Sequence, residues 1–154
     1  MSSSSVVVSD ASPLIALAQI GQLNLLPALF GQVWIPPAVQ SEIASQVPVF
    51  GWLVIRAPQA VPEHLAVQLD AGEAEAIALA IDHHALLILD EVRGRDLAGR
   101  LGLQTVGTMG LLIRAKMAGL IPAVRPFADE LIGKHHFWVS AALHEKTLRL
   151  ANEL

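Results

Sequence analysis

Short hydrophobic runs alternate along this chain with stretches of helical spacing. Val6-Val7-Val8-Ser9 is a β-branched run, the mark of a buried strand. Ser12-Pro13 then opens a helix, with Ser suited to the N-cap and Pro to the first turn. A second helix is predicted over 22–30. Val33-Trp34-Ile35 reads as a strand stopped by Pro36-Pro37, and 37–46 as a helix. Leu53-Val54-Ile55 is a short strand, and 62–69 a helical turn or short helix. The stretch 71–84 is the strongest helix, rich in Ala, Leu and Glu. A strand over 85–89, a helix over 92–101 ending at Gly102, and a strand over 104–106 follow. Three more helices are predicted over 108–118, 123–132 and 140–153. Residues 134–139 read as a strand or loop that caps the last helix. Alternation of this kind argues a parallel sheet with helices on both faces, and such sheets bind ligands beyond the C-terminal ends of their strands.

Length and composition narrow the class. The chain has 154 residues, 53% of them hydrophobic and 16% charged, with a net charge of −4 and no cysteine. That length suits one domain with its own core. The expected division is a flexible segment 1–5 followed by a single domain over 6–154. A disordered chain, a disulfide scaffold and a thiol nucleophile are all excluded. The negative charge disfavours a broadly basic coat for nucleic acid and leaves room for a local basic patch. Residues 11–30 are the best candidate for a membrane span, but Pro13, Gln19, Gln22, Asn24 and Pro27 interrupt them. The N-terminus has no basic residue before its first strand, unlike a secretion signal. The expectation is therefore a soluble, cytoplasmic protein.

The acidic residues fall at telling places. Asp10 follows the first strand directly, and Asp90-Glu91 follow the 85–89 strand. Each position also suits a helix cap. Glu42 is the sole charged residue between Ala11 and Ile55. It lies beside an apolar stripe of Val39, Ile43 and Val47, where a solvated edge residue is the bland alternative. Glu73 and Glu75 open the 71–84 helix, and both favour its dipole there. Glu73 shares a face with Ile77 and Ala80, while Glu75 points about 200° away, so one of the two leads. Carboxylates at strand ends and helix starts repel when brought together and raise one another's pKa. A divalent cation removes that penalty, and hard oxygen donors in this number suit Mg²⁺ or Mn²⁺. Such an ion polarises a phosphoryl oxygen and lowers the pKa of water, which is the chemistry of phosphodiester hydrolysis.

Five segments together resemble a known family. Val7-Val8-Ser9-Asp10-Ala11-Ser12-Pro13 is similar to the first motif of PIN domains, an Asp closing strand one. Ile35-Pro36-Pro37 through Glu42-Ile43 resembles their proline-led helix bearing an acid. Gly72-Glu73-Ala74-Glu75 resembles the third acidic helix, and Leu89-Asp90-Glu91 with Arg93-Gly94-Arg95 the fourth segment. Gly107-Thr108-Met109-Gly110-Leu111-Leu112 completes a pattern similar to the DUF3368 branch. The resemblance implies a PIN-like three-layer α/β/α sandwich with a central parallel sheet. It implies a Mg²⁺- or Mn²⁺-dependent ribonuclease, often the toxin of a toxin–antitoxin pair whose small antitoxin protein covers the acidic crevice. Asp10, Glu42, Glu73 and Asp90 would be the catalytic and metal-binding acids. Glu91 would bind metal directly or through water. Ser12 and Thr108 would stand at the site's edge as donors to water or phosphate. The motif holds both Glu73 and Glu75, and Glu73 is favoured for its face.

Other residues carry weaker signals. Arg93, Arg95 and Arg100 are candidates to hold RNA phosphate, against the plainer reading of a solvated or carboxylate-paired helix face. Arg114 and Lys116 are similarly ambiguous. His83-His84 and His135-His136 diverge too far as neighbours to chelate easily, and read as helix-end or loop residues. Trp34, Trp52 and Trp138 read as core or interface, and Met109 and Met117 as helix packing. The apolar helices over 14–30 suggest exposed patches on a monomer, hence a homodimer. Two rivals stand beside the nuclease. One is a catalytically inactive PIN-like module that binds RNA or protein, which has no need for repelling acids. The other is an aspartyl-phosphate phosphatase, whose Asp-x-Asp pattern Asp10-Ala11-Ser12 lacks.

Overall fold

A computed structural model describes residues 5–154. The expected flexible segment 1–5 therefore lies, apart from Ser5, outside the described residues. Among the described residues the order is β1 (Val7–Ser9), α1 (Ala11–Gln19), α2 (Leu25–Phe30), β2 (Val33–Ile35), α3 (Pro37–Ile43), β3 (Leu53–Ile55), α4 (Glu63–Gln68) and α5 (Ala71–His83). It continues with β4 (Leu86–Ile88), α6 (Val92–Arg100), β5 (Thr105–Val106), α7 (Thr108–Met117), α8 (Arg125–Lys134) and α9 (Ala141–Leu150).

All five strands are parallel, in the order β3-β2-β1-β4-β5. Their short apolar runs are the sequence signature of strands covered on both faces. Helix α5 packs on β1 and β4, while α1, α2, α7 and α9 pack as a contiguous set, giving a three-layer α/β/α sandwich. Leu14, Leu17, Ile35, Ile77, Leu87 and Leu111 are among the fully buried side chains of the core. The chain reverses direction across the sheet between β1 and β4. At that point Asp10 N–H donates to the Ile88 carbonyl at 2.9 Å, and Leu89 N–H to Val106 at 3.0 Å. These bonds draw the ends of β1, β4 and β5 together, so that Asp10 and Asp90 emerge side by side.

Several expectations are corrected here. The first helix begins at Ala11, and its N-cap is Asp10, not Ser12. The second starts three residues later than its pattern suggests, after a turn at Gly21 with φ of 68°. Helix α3 ends at Ile43 instead of 46, and α9 at Leu150 instead of 153. Helix α8 runs over Arg125–Lys134, with Pro126 in its first turn fixing the start. Of the two readings of 134–139, strand or loop, the structure has the loop: Lys134 closes α8 and residues 135–139 lead without a strand into α9. Met117 is 73% exposed and Trp138 79%, so neither belongs to the core. Trp34 and Trp52 do pack against it, Trp34 edge-on to His83 and Trp52 stacked on Phe50. Leu14, Leu17, Ile20, Leu25 and Leu26 are buried within this one chain. Ile15, Leu23, Leu29 and Phe30 of the same stretch are half-buried, so part of the apolar surface behind the expected homodimer remains. No helix among the described residues is long and apolar enough to cross a membrane.

Candidate active site

A cleft of about 680 Å³ opens at the C-terminal ends of β1 and β4. Six carboxylates line it: Asp10, Glu42, Asp70, Glu73, Asp90 and Glu91. Ser12, Val92 and the segment from His135 to Trp138 complete its walls. The four acids proposed as ligands come from four separate pieces of chain, which only the fold brings to one cleft.

Capping does not explain Asp10. It occupies the N-cap of α1, yet its side chain makes no capping hydrogen bond. It is 6% exposed, and burial pushes its carboxyl up to about 7, against the Ala11 N–H and with help from Asp70, Glu42 and Asp90. Glu73 is pushed up to about 8, chiefly by burial and then by Asp70. Its Oε2 is buried without a hydrogen-bond partner. Burial also raises Glu42, with Asp70 adding to the effect. Asp90 is raised by burial although Thr108 and Arg95 pull the other way.

Glu75 has a different employment. Its Oε1 accepts from Ala38 N–H at 3.0 Å, tying α5 to the start of α3. Glu91 is the N-cap of α6, accepting from Arg93 N–H at 3.2 Å, and reaches the cleft from there. Thr108 departs from its expected role. It is fully buried, and both its donors go to Asp90, the N–H at 2.7 Å and the hydroxyl at 2.6 Å. It is a clamp on Asp90 with no proton left for water or phosphate. Thr108→Val keeps the shape and the backbone bond but strips Asp90 of its hydroxyl partner. We expect a loss of about 1–3 kcal/mol in chemical denaturation; an unchanged midpoint would remove the clamp.

The cationic candidates separate. Arg95 stands beside Asp90 and lowers its pKa. Arg93 is exposed in the first turn of α6 and does not line the cleft. Arg100 lies at the other end of α6, roughly 13 Å along the helix axis, paired with Asp96 at 3.1 Å. It does not line the cleft, and the plainer reading holds for it. Lys116 is likewise occupied, by Glu153 at 3.1 Å, and Arg114 lines a separate cavity with Val7 and Gln104.

Three glycines shape the site. A Cβ on Gly72 would collide with Glu42 Oε1 and lie 3.6 Å from Asp10 Oδ1. One on Gly94 would lie 3.2 Å from Glu73 Oε2, and one on Gly107 2.8 Å from Asp90 Oδ1. Each acid is thus seated where a backbone lacks a side chain. Asp70 is the acid that sequence reasoning missed. It N-caps α5, accepting from Glu73 N–H at 2.9 Å. Its signal was an Asp immediately before a helix with Glu three positions on, the spacing of a capping box.

The donor set fits a hard divalent cation. All the donors are carboxylate oxygens, one of them is buried and orphaned, and cationic side chains are scarce around them. Among the described residues no three acidic or histidine side chains are gathered tightly enough to enclose an ion. Mg²⁺ keeps several waters and takes only one or two carboxylates directly, so it needs no closed cage.

The raised acids make stability depend on pH. Folded Asp10 and Glu73 hold protons that the unfolded chain releases near pH 4. Their contribution to stability without metal therefore falls as pH rises from about 4 to about 8. A bound cation reverses the trend. In thermal melts Mn²⁺ should raise Tm more at pH 8 than at pH 5; an equal shift would dissociate the metal from these acids.

The family of DUF3368, described as a PIN domain, matches residues 6–153. A solved structure of a PilT N-terminus domain protein, SSO1118, from the hyperthermophilic archaeon Sulfolobus solfataricus P2 shares the fold, with a TM-score of 0.55 and 19% sequence identity. The similarity covers 71% of this chain and 92% of that one. No curated protein matches the chain at a significant level. PIN domains are generally nucleases that use divalent metal ions. With nearly its whole length matched and the parallel sheet in place, this chain belongs to the DUF3368 family of PIN domains.

Proposed function

We propose that this protein is an endoribonuclease that hydrolyses RNA phosphodiesters with Mg²⁺ or Mn²⁺ held by Asp10, Glu42, Glu73 and Asp90. The observation that carries the reading is the buried, unpartnered Glu73 Oε2 in a cleft walled by carboxylates. A buried acceptor without a partner is costly, and a cation bound in this cleft would relieve that cost. When bound, the cation supplies a polarised phosphoryl oxygen and water of lowered pKa.

The chain's own residues do the rest. Thr108 fixes the orientation of Asp90, and Arg95 sets a positive charge beside it. Asp70 holds the first turn of α5 and thereby the backbone of Glu73. On the exposed rim, the Ser12 hydroxyl can donate to water or a phosphate oxygen, and Glu91 can hold the cation directly or through its water.

The test is cleavage of a labelled structured RNA pool with Mn²⁺, Mg²⁺ or EDTA, beside a generic phosphomonoester. Metal-dependent cutting of RNA alone supports the proposal. Hydrolysis of the monoester instead would make the protein a phosphatase, and no reaction on either would favour the inactive binding module. The sequence resemblance also suggests the setting of a toxin restrained by a small antitoxin. That reading predicts growth arrest on expression of the wild type and none on expression of Asp10→Asn.

A further inference from the structure

Beyond Trp138 the acidic cleft continues into a second cavity of about 300 Å³. Asp90, Val92, Phe137 and Trp138 line both, so the two spaces adjoin along one wall. Their chemistry differs. The first is walled by carboxylates, whereas the second is largely apolar and is lined by Arg95 and Lys146 as well as Asp90. Among the described residues neither cation makes a salt bridge within 4 Å.

Trp138 stands between the two cavities with 79% of its surface exposed. It is one of only three tryptophans, and the other two pack against the core. The backbone before it is held in a left-handed conformation at His136, with φ of 57°. The Phe137 N–H, donating to the Leu131 carbonyl at 2.9 Å, anchors the segment to α8. An exposed indole on an anchored segment, at a cavity that two cations also line, matches the parts that hold single-stranded nucleic acid: a flat π-face for a base and positive charge along the backbone.

We propose that this second cavity seats a nucleotide of single-stranded RNA next to the scissile bond, its base stacked on the Trp138 indole and its phosphates held by Arg95 and Lys146. The assignment rests on the nuclease reading for its position relative to the cut, and on charge complementarity and continuity with the cleft for its occupant. A duplex, whose bases are already stacked, offers no face to the indole. The site thus selects unpaired RNA.

The test is binding of a fluorescein-labelled oligouridine octamer, read by anisotropy, to Asp10→Asn protein in Mn²⁺. The expected result is tighter binding of the single strand than of a duplex of equal length. Trp138→Ala should then weaken single-strand binding about 10-fold while Trp138→Phe retains most of it. Lys146→Ala should weaken binding and lower the slope of log affinity against log salt by about one. The exposure of both side chains lets the variants fold, which a melt at the parental temperature would verify. Undetectable binding, equal binding of duplex and single strand, or unchanged affinity in Trp138→Ala would each overturn the proposal. The last would leave the indole to a protein partner. Trp138-dependent binding by a wild type that never cuts would keep this seat and sink the nuclease. Cutting with an unaltered KM in Trp138→Ala would do the reverse.

Discussion

Asp10→Asn should abolish RNA cleavage and stabilise the metal-free protein at the same time. Asparagine keeps the size of the side chain and removes the buried charge. The cleft then loses a donor at the point where β1 and β4 meet, and we expect cleavage to fall by at least about 100-fold. The carboxylate it replaces is 6% exposed and is pushed up to about 7, so its ionised form is costly near pH 8. Removing that charge should gain on the order of 2 kcal/mol at pH 8 without metal, or about 4–8 °C in Tm for a domain of this size. Paired cleavage assays and melts in EDTA check both halves. A variant that cuts like the wild type at equal folding would remove Asp10 from the chemistry. One that is inactive and also less stable would make Asp10 a structural residue.

Gly72→Ala should separate stability from activity in a different way. Gly72 lies in the first turn of α5, where glycine is worse than alanine for the helix by about 0.5–1 kcal/mol. The added Cβ would strike Glu42 Oε1, the far end of an exposed and flexible side chain. Glu42 can swing out of the way, so the fold should keep its stability or gain up to about 1 kcal/mol. The cleft loses that carboxylate from its place beside Asp10, and we expect Mn²⁺ affinity to fall about 10–100-fold, with cleavage following it. Equal Mn²⁺ affinity in the two proteins would show that Glu42 is not drawn to the ion.

Much of the architecture was legible because strand and helix signals alternate cleanly. The β-branched run at Val6–Ser9 and the Ala-rich stretch from Ala71 leave little choice of element. Where the strand ends lie then places Asp10 and Asp90. That Glu73 and Glu75 must diverge was legible too, since a helix turns 100° per residue, but only the fold shows that Glu73 is the one lining the cleft. What stayed hidden depends on distant neighbours. Nothing local says that Gly72, Gly94 and Gly107 each face a carboxylate from another segment, or that Thr108 is buried against Asp90. Arg100 looked equivalent to Arg95 in sequence, yet the length of α6 carries it to the far end of the helix. The 134–139 segment has no period to read, and only the fold shows that it is anchored at Leu131 and that Trp138 lines the cleft. Asp70 was readable from its capping position but stands out only once Asp10, Glu42 and Glu73 are seen around it.

The central claim is that burial loads these acids with protons that a divalent cation displaces. Calorimetric titration of Mn²⁺ into wild type and Asp10→Asn near pH 7, in two buffers of different ionisation enthalpy, reads that exchange directly. The account predicts release of about one proton per Mn²⁺ by the wild type, and weaker binding with less release by the variant. Binding without proton release, or equal binding and release in both proteins, would contradict it.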